Sequence, residues 1–329
     1  MQLHVAYVTD EQPSPDPIGF LLHALADPIT LLVLGGGAIV TLSLLAAWAR
    51  LRPLEPARER FVLRAQSYRP YVPWMLRLSV GLVVIGAGLG RALFVPNVPL
   101  GGWPHLVLTA IGFLLLLGFA VRPAALLGLA MYLVALVLDP RLVTIFDIAG
   151  GLAAIALVGP GAPSLDDLLR AAFPRAPGRE PATAPVAEAR YDDLVPLLVR
   201  LGLGGALVAS GIGDKLLIYE QALAAVDKYG LTGVVPASPE LWVVGAAAVE
   251  TALGIAILFG VLTRFGAVLG FAVLTLAVFA LPDDPVIAHV GLFGLASVLV
   301  VLGGGRWSAD ALLARRVGAA GRTSEAMGT

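Results

Sequence analysis

Nine stretches of this chain are apolar enough, and close enough to 20 residues, to be read as membrane-crossing helices. They run roughly over 28–49, 73–95, 104–121, 123–138, 144–160, 194–218, 239–262, 265–281 and 286–304. Backbone polar groups in hydrocarbon must be satisfied within the segment, so runs of this length and apolarity are expected to be helices. The rest of the composition agrees. Of 329 residues, 58 % are hydrophobic and 14 % charged, against about 25 % charge in an ordinary soluble domain. The expectation is an all-α polytopic membrane protein with about nine transmembrane helices.

Several function classes drop out. Net charge is −1, which leaves no basic footprint and no expectation of a nucleic-acid partner. Cysteine is absent, so disulfide exchange, thiolate metal sites, iron–sulfur clusters and cysteine nucleophiles are excluded. The four histidines, His4, His23, His105 and His289, form no i, i+4 pair, and no metal is expected. There is no Walker A loop, no dinucleotide fingerprint, no GxSxG and no HExxH. The glycine run Gly86-Ala87-Gly88-Leu89-Gly90 lies inside a spanning stretch and is no nucleotide loop.

Basic residues set the orientation. The first spanning stretch is followed by Arg50, Arg52, Arg58, Arg60, Arg64 and Arg69, so that end is expected in the cytoplasm. Alternation then places Arg122, Arg264, the linker 161–193 and the C-terminal tail on the same side. Asp10, Glu11 and Asp16, with no basic residue near them, suit a translocated N-terminal tail rather than a signal peptide. The linker, with Pro163, Pro174, Pro177, Pro181 and Pro185, reads as cytoplasmic, with one short interfacial helix after Ser164.

The chain also matches itself. Arg77, Gly81, Gly88 and Gly90 recur as Arg200, Gly204, Gly211 and Gly213. Gly112, Gly118, Arg122 and Gly128 recur as Gly254, Gly260, Arg264 and Gly270, and Ser164-Leu165-Asp166 recurs as Ser308-Ala309-Asp310. This predicts an N-terminal region (1–72) with one helix, a four-helix unit over 73–160, the linker, a second parallel unit over 194–312 and a cytoplasmic tail (313–329). The halves differ where chemistry would sit. The second has Asp214-Lys215 where the first has Arg91-Ala92, and Glu250 where the first has Leu108. An ionisable residue inside a bilayer is costly and is a functional hypothesis by default. Glu250 is read as a proton acceptor, a polar contact to a bound headgroup, or a structural partner of a basic neighbour. Lys215 is read as an anion or headgroup contact, a partner leaning toward Glu250, or a lysine snorkelling outward. His289 is read as a proton relay, a quinone-oxygen partner or an interface histidine. Asp147 is the residue nearest its equivalent position. Arg200, like Arg77 at the cytoplasmic end of the equivalent helix, is read as a topology determinant, a structural partner of the linkers, or part of the binding site.

The second half resembles the DoxX family. The resemblance rests on Arg200-Leu201-Gly202-Leu203-Gly204, Ser210-Gly211-Ile212-Gly213-Asp214-Lys215-Leu216, Glu250-Thr251-Ala252-Leu253-Gly254, Gly260-Val261-Leu262-Thr263-Arg264 and Gly305-Arg306-Trp307-Ser308-Ala309-Asp310. The first half is a weaker copy. The resemblance implies tandem four-helix units in the cell membrane of a prokaryote. It also implies kinship with DoxD, the membrane subunit of a thiosulfate:quinone oxidoreductase, which works with a small extracytoplasmic subunit, DoxA. The resulting expectation is a quinone-linked oxidoreductase subunit with a lipid quinone as substrate and no covalent cofactor. Glu250 and His289 would be its catalytic residues, and Lys215, Asp214 and Arg200 its quinone or substrate contacts. The competing expectation is a non-enzymatic scaffold or assembly factor for a membrane redox complex. Transport through the helix interior is disfavoured by parallel rather than inverted units.

Overall fold

The computed structural model describes residues 14–51, 55–99, 102–172, 193–234, 236–281 and 286–315. Most of the linker, the first 13 residues and the last 14, with Arg175, Arg179, Arg190, Arg316 and Arg322, lie outside the described residues. The helices are α1 (Pro17–Ala26), α2 (Pro28–Leu51), α3 (Glu55–Gln66), α4 (Val72–Leu89), α5 (Pro104–Leu117), α6 (Val121–Leu138) and α7 (Phe146–Val158). They continue with α8 (Leu165–Ala172), α9 (Leu194–Ile212), α10 (Tyr219–Lys228), α11 (Leu231–Val234), α12 (Pro239–Phe259), α13 (Thr263–Ala280) and α14 (Val286–Leu302). Each of the nine apolar stretches contains a helix. Among the described residues six helices are long and apolar enough to cross a membrane, and α1 with α2 forms a further pair bent by 87°. α5 and α14 are apolar but shorter. The protein is an all-α polytopic membrane protein.

Three segments differ from the sequence expectation. The stretch expected to stay helical to residue 95 stops at Leu89. Arg91 (φ 53°) and Phe94 (φ 68°) turn the chain, and a ribbon of Ala92–Leu93 and Val95–Pro99 follows. Pro96 and Pro99 cannot donate to a helical ladder, so the apolar run ends as an extended pair. The N-terminal tail contains a helix, α1, because Asp16 accepts a hydrogen bond from Gly19 N at 2.8 Å and Pro17 occupies its first turn. The loop 219–238 folds into α10 and α11.

Four helices, α4, α7, α9 and α14, make the centre. α5 and α6 flank one side of it, and α12 and α13 the other. Glycine lets backbones meet at the same places on both sides. A Cβ on Gly112 would come 2.9 Å from Gly81 O, and one on Gly254 would come 2.8 Å from Gly204 O. The halves join through α7 on α9 and α14 on α4. A Cβ on Gly150 would meet Gly202 Cα at 2.5 Å, while one on Gly294 would meet Ser79 Oγ at 2.1 Å. At the centre Asp147 is buried opposite Gly291, where an added Cβ would lie 2.4 Å from its Oδ2.

The recurring arginines are tied down by backbone. Arg264 donates to the carbonyls of Val300, Val301 and Leu302, closing the last turn of α14. Asp166 Oδ1 accepts from Ala120 N at 3.4 Å, and Asp310 Oδ1 from Leu262 N at 2.8 Å. Both donors, Ala120 and Leu262, stand at left-handed corners, with φ 48° and 47°.

Candidate functional site

The second half carries a charged cluster on a deformed helix. α9 is regular to Ile212 and then opens into one π-helical turn, Gly213–Leu217. Such a turn accommodates one extra residue, swings the side chains that follow, and is frequent at functional sites. Asp214 and Lys215 both lie on it and are buried. The Lys215 ammonium reaches back toward the bundle and pairs with Glu250 on α12, with Nζ 2.7 Å from Oε2. Ser210 lies between them. Its hydroxyl donates to Glu250 Oε2 at 3.3 Å and accepts from Lys215 Nζ at 3.4 Å. Gly211 permits the approach, since a Cβ there would stand 2.5 Å from Thr251 Oγ1.

Glu250 lies 11 residues into its helix, about 16 Å from the Pro239 end at 1.5 Å per residue. An isolated charge at that depth would be very unfavourable, and a short charge-assisted pair with a hydroxyl between its members offsets the cost. The pair is not sealed. The side chains of Lys215 and Glu250 keep 11 % and 19 % of their exposure. Ala248, Val249 and Ala252 are exposed on the outer surface of α12, whereas Val243, Ala247, Leu253 and Gly254, which share the face of Glu250, are buried. A molecule that reached the pair would meet an ammonium donor and a carboxylate together.

Sequence reasoning did not foresee the cover over this end. Ser14 N donates to Leu217 O, the last carbonyl of the π turn, at 3.3 Å, and Ser14 Oγ accepts from Glu220 N at 3.2 Å. Phe20 on α1 stacks on Tyr219, their ring centroids 4.2 Å apart. α10 and α12 form a small second core here, around Ala222, Val226 and Val243. Residues 14–20 hold few charges and show no periodicity that would place them over the site.

The other candidates stand elsewhere. Arg200 is 15 residues before Lys215, about 22 Å along the helix. Its guanidinium donates to the carbonyls of Ile257, Leu258, Gly304 and Trp307. That leaves it a structural clasp at the opposite end rather than a contact for a molecule at Lys215. Its counterpart Arg77 donates to Pro163 O at 2.5 Å. His289 is fully buried on α14, 6.5 Å from the Phe293 ring, whereas the ion pair joins α9 and α12. Because Gly294 meets α4 as Gly150 meets α9, the position matching His289 is Ile145, and Asp147 matches Gly291. Among the described residues no group of three or more His, Cys, Asp or Glu side chains could hold a metal ion.

The DoxX family model matches residues 195–283. That segment contains the π turn, Ser210, Lys215 and Glu250, together with α12 and α13. His289 and the Gly305-Arg306-Trp307 ending lie beyond it. No curated protein matches the chain, and no solved structure does.

Proposed function

We propose that this membrane protein, DoxX-like over residues 195–283, binds a lipid quinone at the Lys215–Glu250 pair. In this reading it serves as the membrane subunit of a quinone-linked oxidoreductase of the thiosulfate:quinone type. The observation that carries the reading is the ion pair itself, set on a π turn and buried among apolar helices, with part of both side chains still exposed. The Lys215 ammonium donates to a quinone carbonyl oxygen. Glu250 passes on protons that accompany the electrons. Asp214 lines the same turn, whereas His289, buried away from the pair, takes no direct part. The quinone takes two electrons and two protons to become a quinol. Two thiosulfate ions supply the electrons by joining through a new S–S bond, delivered by a separate extracytoplasmic subunit. The first half, with Leu108 where Glu250 stands, is a degenerate copy that braces the second. The arginine distribution supports an N-terminus outside and a C-terminus in the cytoplasm of a prokaryotic cell.

The test is thiosulfate-dependent reduction of a short-chain benzoquinone by membranes containing the full chain and its partner. Glu250→Gln keeps shape and removes the titratable proton. It is expected to lower turnover per folded protein about a hundredfold, in the range of general acid–base catalysis, and also to lower the melting temperature because Lys215 loses its carboxylate partner. Equal turnover in both proteins would overturn the reading.

One observation favours a scaffold instead. α2 is exposed along most of its length, and Gly35, Gly36 and Gly37 meet nothing within 4 Å. A helix so bare suits docking to another membrane protein. A partner that co-purifies with the full chain and is lost on Gly36→Leu, with Glu250→Gln silent, would move the reading there.

A further inference from the structure

Away from the ion pair, the bundle holds an apolar cleft of about 570 Å³ where α3 crosses the ends of α4, α13 and α14. Phe61 of α3 closes one side, Met75 of α4 another, and Phe271 and Ala272 of α13 a third. The groups at its edge that can bind an anion or a headgroup are Arg64 and Tyr68, both exposed. Water does not fill such a space well, because it needs two to four polar partners that the walls do not offer. A hydrocarbon chain needs none.

The charge around the cleft selects the occupant. α3 and its flanks form the arginine-rich segment that holds Arg60, Arg64 and Arg69. Guanidinium groups recognise phosphate through paired hydrogen bonds, and basic segments beside a spanning helix attract anionic lipid. A tyrosine ring sits comfortably at the headgroup level, apolar in body and polar at its tip. A quinone headgroup is neutral and would draw nothing from Arg64. On the matching face of the first half, Ala130 stands where Ala272 does in the second.

We infer that the cleft beneath α3 binds one anionic phospholipid, an acyl chain lying between α4, α13 and α14 and the phosphate on Arg64. α3 acts as the roof of that site. The inference does not depend on the quinone reading, since it uses no residue of the ion pair.

Native mass spectrometry of the full chain in mild detergent, delipidated and then titrated with phosphatidylglycerol or phosphatidylcholine, tests it. One phosphatidylglycerol per chain is expected, bound more tightly than phosphatidylcholine. Arg64→Gln is expected to weaken phosphatidylglycerol about fivefold and leave phosphatidylcholine unchanged. Ala272→Trp fills the cleft and is expected to abolish the bound lipid, whereas Ala130→Trp on the matching face is expected to retain it. Equal binding of the two lipids, retention in Ala272→Trp, or quinone as the molecule displaced would each overturn the inference. Should Ala272→Trp fail to fold, the surface variant Arg64→Gln still decides the charge preference.

Discussion

At the scale of the residue, Lys215 and Glu250 matter to each other before they matter to a ligand. Removing one strands the other in a low-dielectric site, and such losses cost about 3–5 kcal/mol. Lys215→Met and Glu250→Leu are each expected to lower the detergent melting temperature sharply. The double variant should recover most of it, because the first half packs a fully buried Leu108 at the position of Glu250. A double variant as unstable as either single would contradict this account of the pair. Arg200 is a different case. Lysine cannot reproduce a planar fork that serves four carbonyls, so Arg200→Lys should destabilise by about 1–3 kcal/mol through the acceptors it leaves unmet. Glu250 and Lys215 were legible because a charge in an apolar run is conspicuous. Their pairing through Ser210, and the separation of Arg200 from them, depend on how helices rotate and pack, which residue type does not reveal.

At the scale of the element, glycine and the π turn set the geometry. Gly260 ends α12 at φ +69°, and a Cβ there would lie 2.5 Å from Ser308 Cβ. Gly260→Ala therefore combines a left-handed strain of about 1–2 kcal/mol with a collision. It should lower the melting temperature by several degrees, while Gly245→Ala, with nothing within 4 Å, should leave it unchanged. The apolar helices could be read in advance because the bilayer demands long apolar runs, though among the described residues six, or seven with the bent α1–α2 pair, rather than nine are long enough to span. Hydropathy is blind to hydrogen-bond register. It ran α4 on through Ala92, Leu93 and Val95, apolar residues that form a ribbon instead, and it could not distinguish a π turn at Gly213–Leu217 from one more turn of α-helix. It also passed over α1, although Asp16-Pro17 is a recognisable helix start.

At the scale of the molecule, α7 packs on α9 and α14 on α4, with glycines at the closest approaches and Phe146 and Leu295 filling the space beside them. Gly150→Val would drive a branched side chain into the backbone of Gly202 and Leu198, and should weaken the union of the halves enough to lower both yield and melting temperature. Gly35→Val, on a helix with no neighbour there, should do neither. The proposed orientation can be checked because the chain has no cysteine of its own. An impermeant maleimide applied to intact cells should label Asp227→Cys and spare Ser67→Cys, and the reverse pattern would invert the topology. What joins these scales is the claim that the partly exposed ion pair receives a quinone. The most direct measurement is mass spectrometry of the lipid extracted from the purified full-length protein. The account predicts quinone near one per chain, falling to the level of an unrelated membrane protein in the folded Lys215→Met/Glu250→Leu variant. Quinone at background in the wild type, or undiminished in that variant, would contradict it.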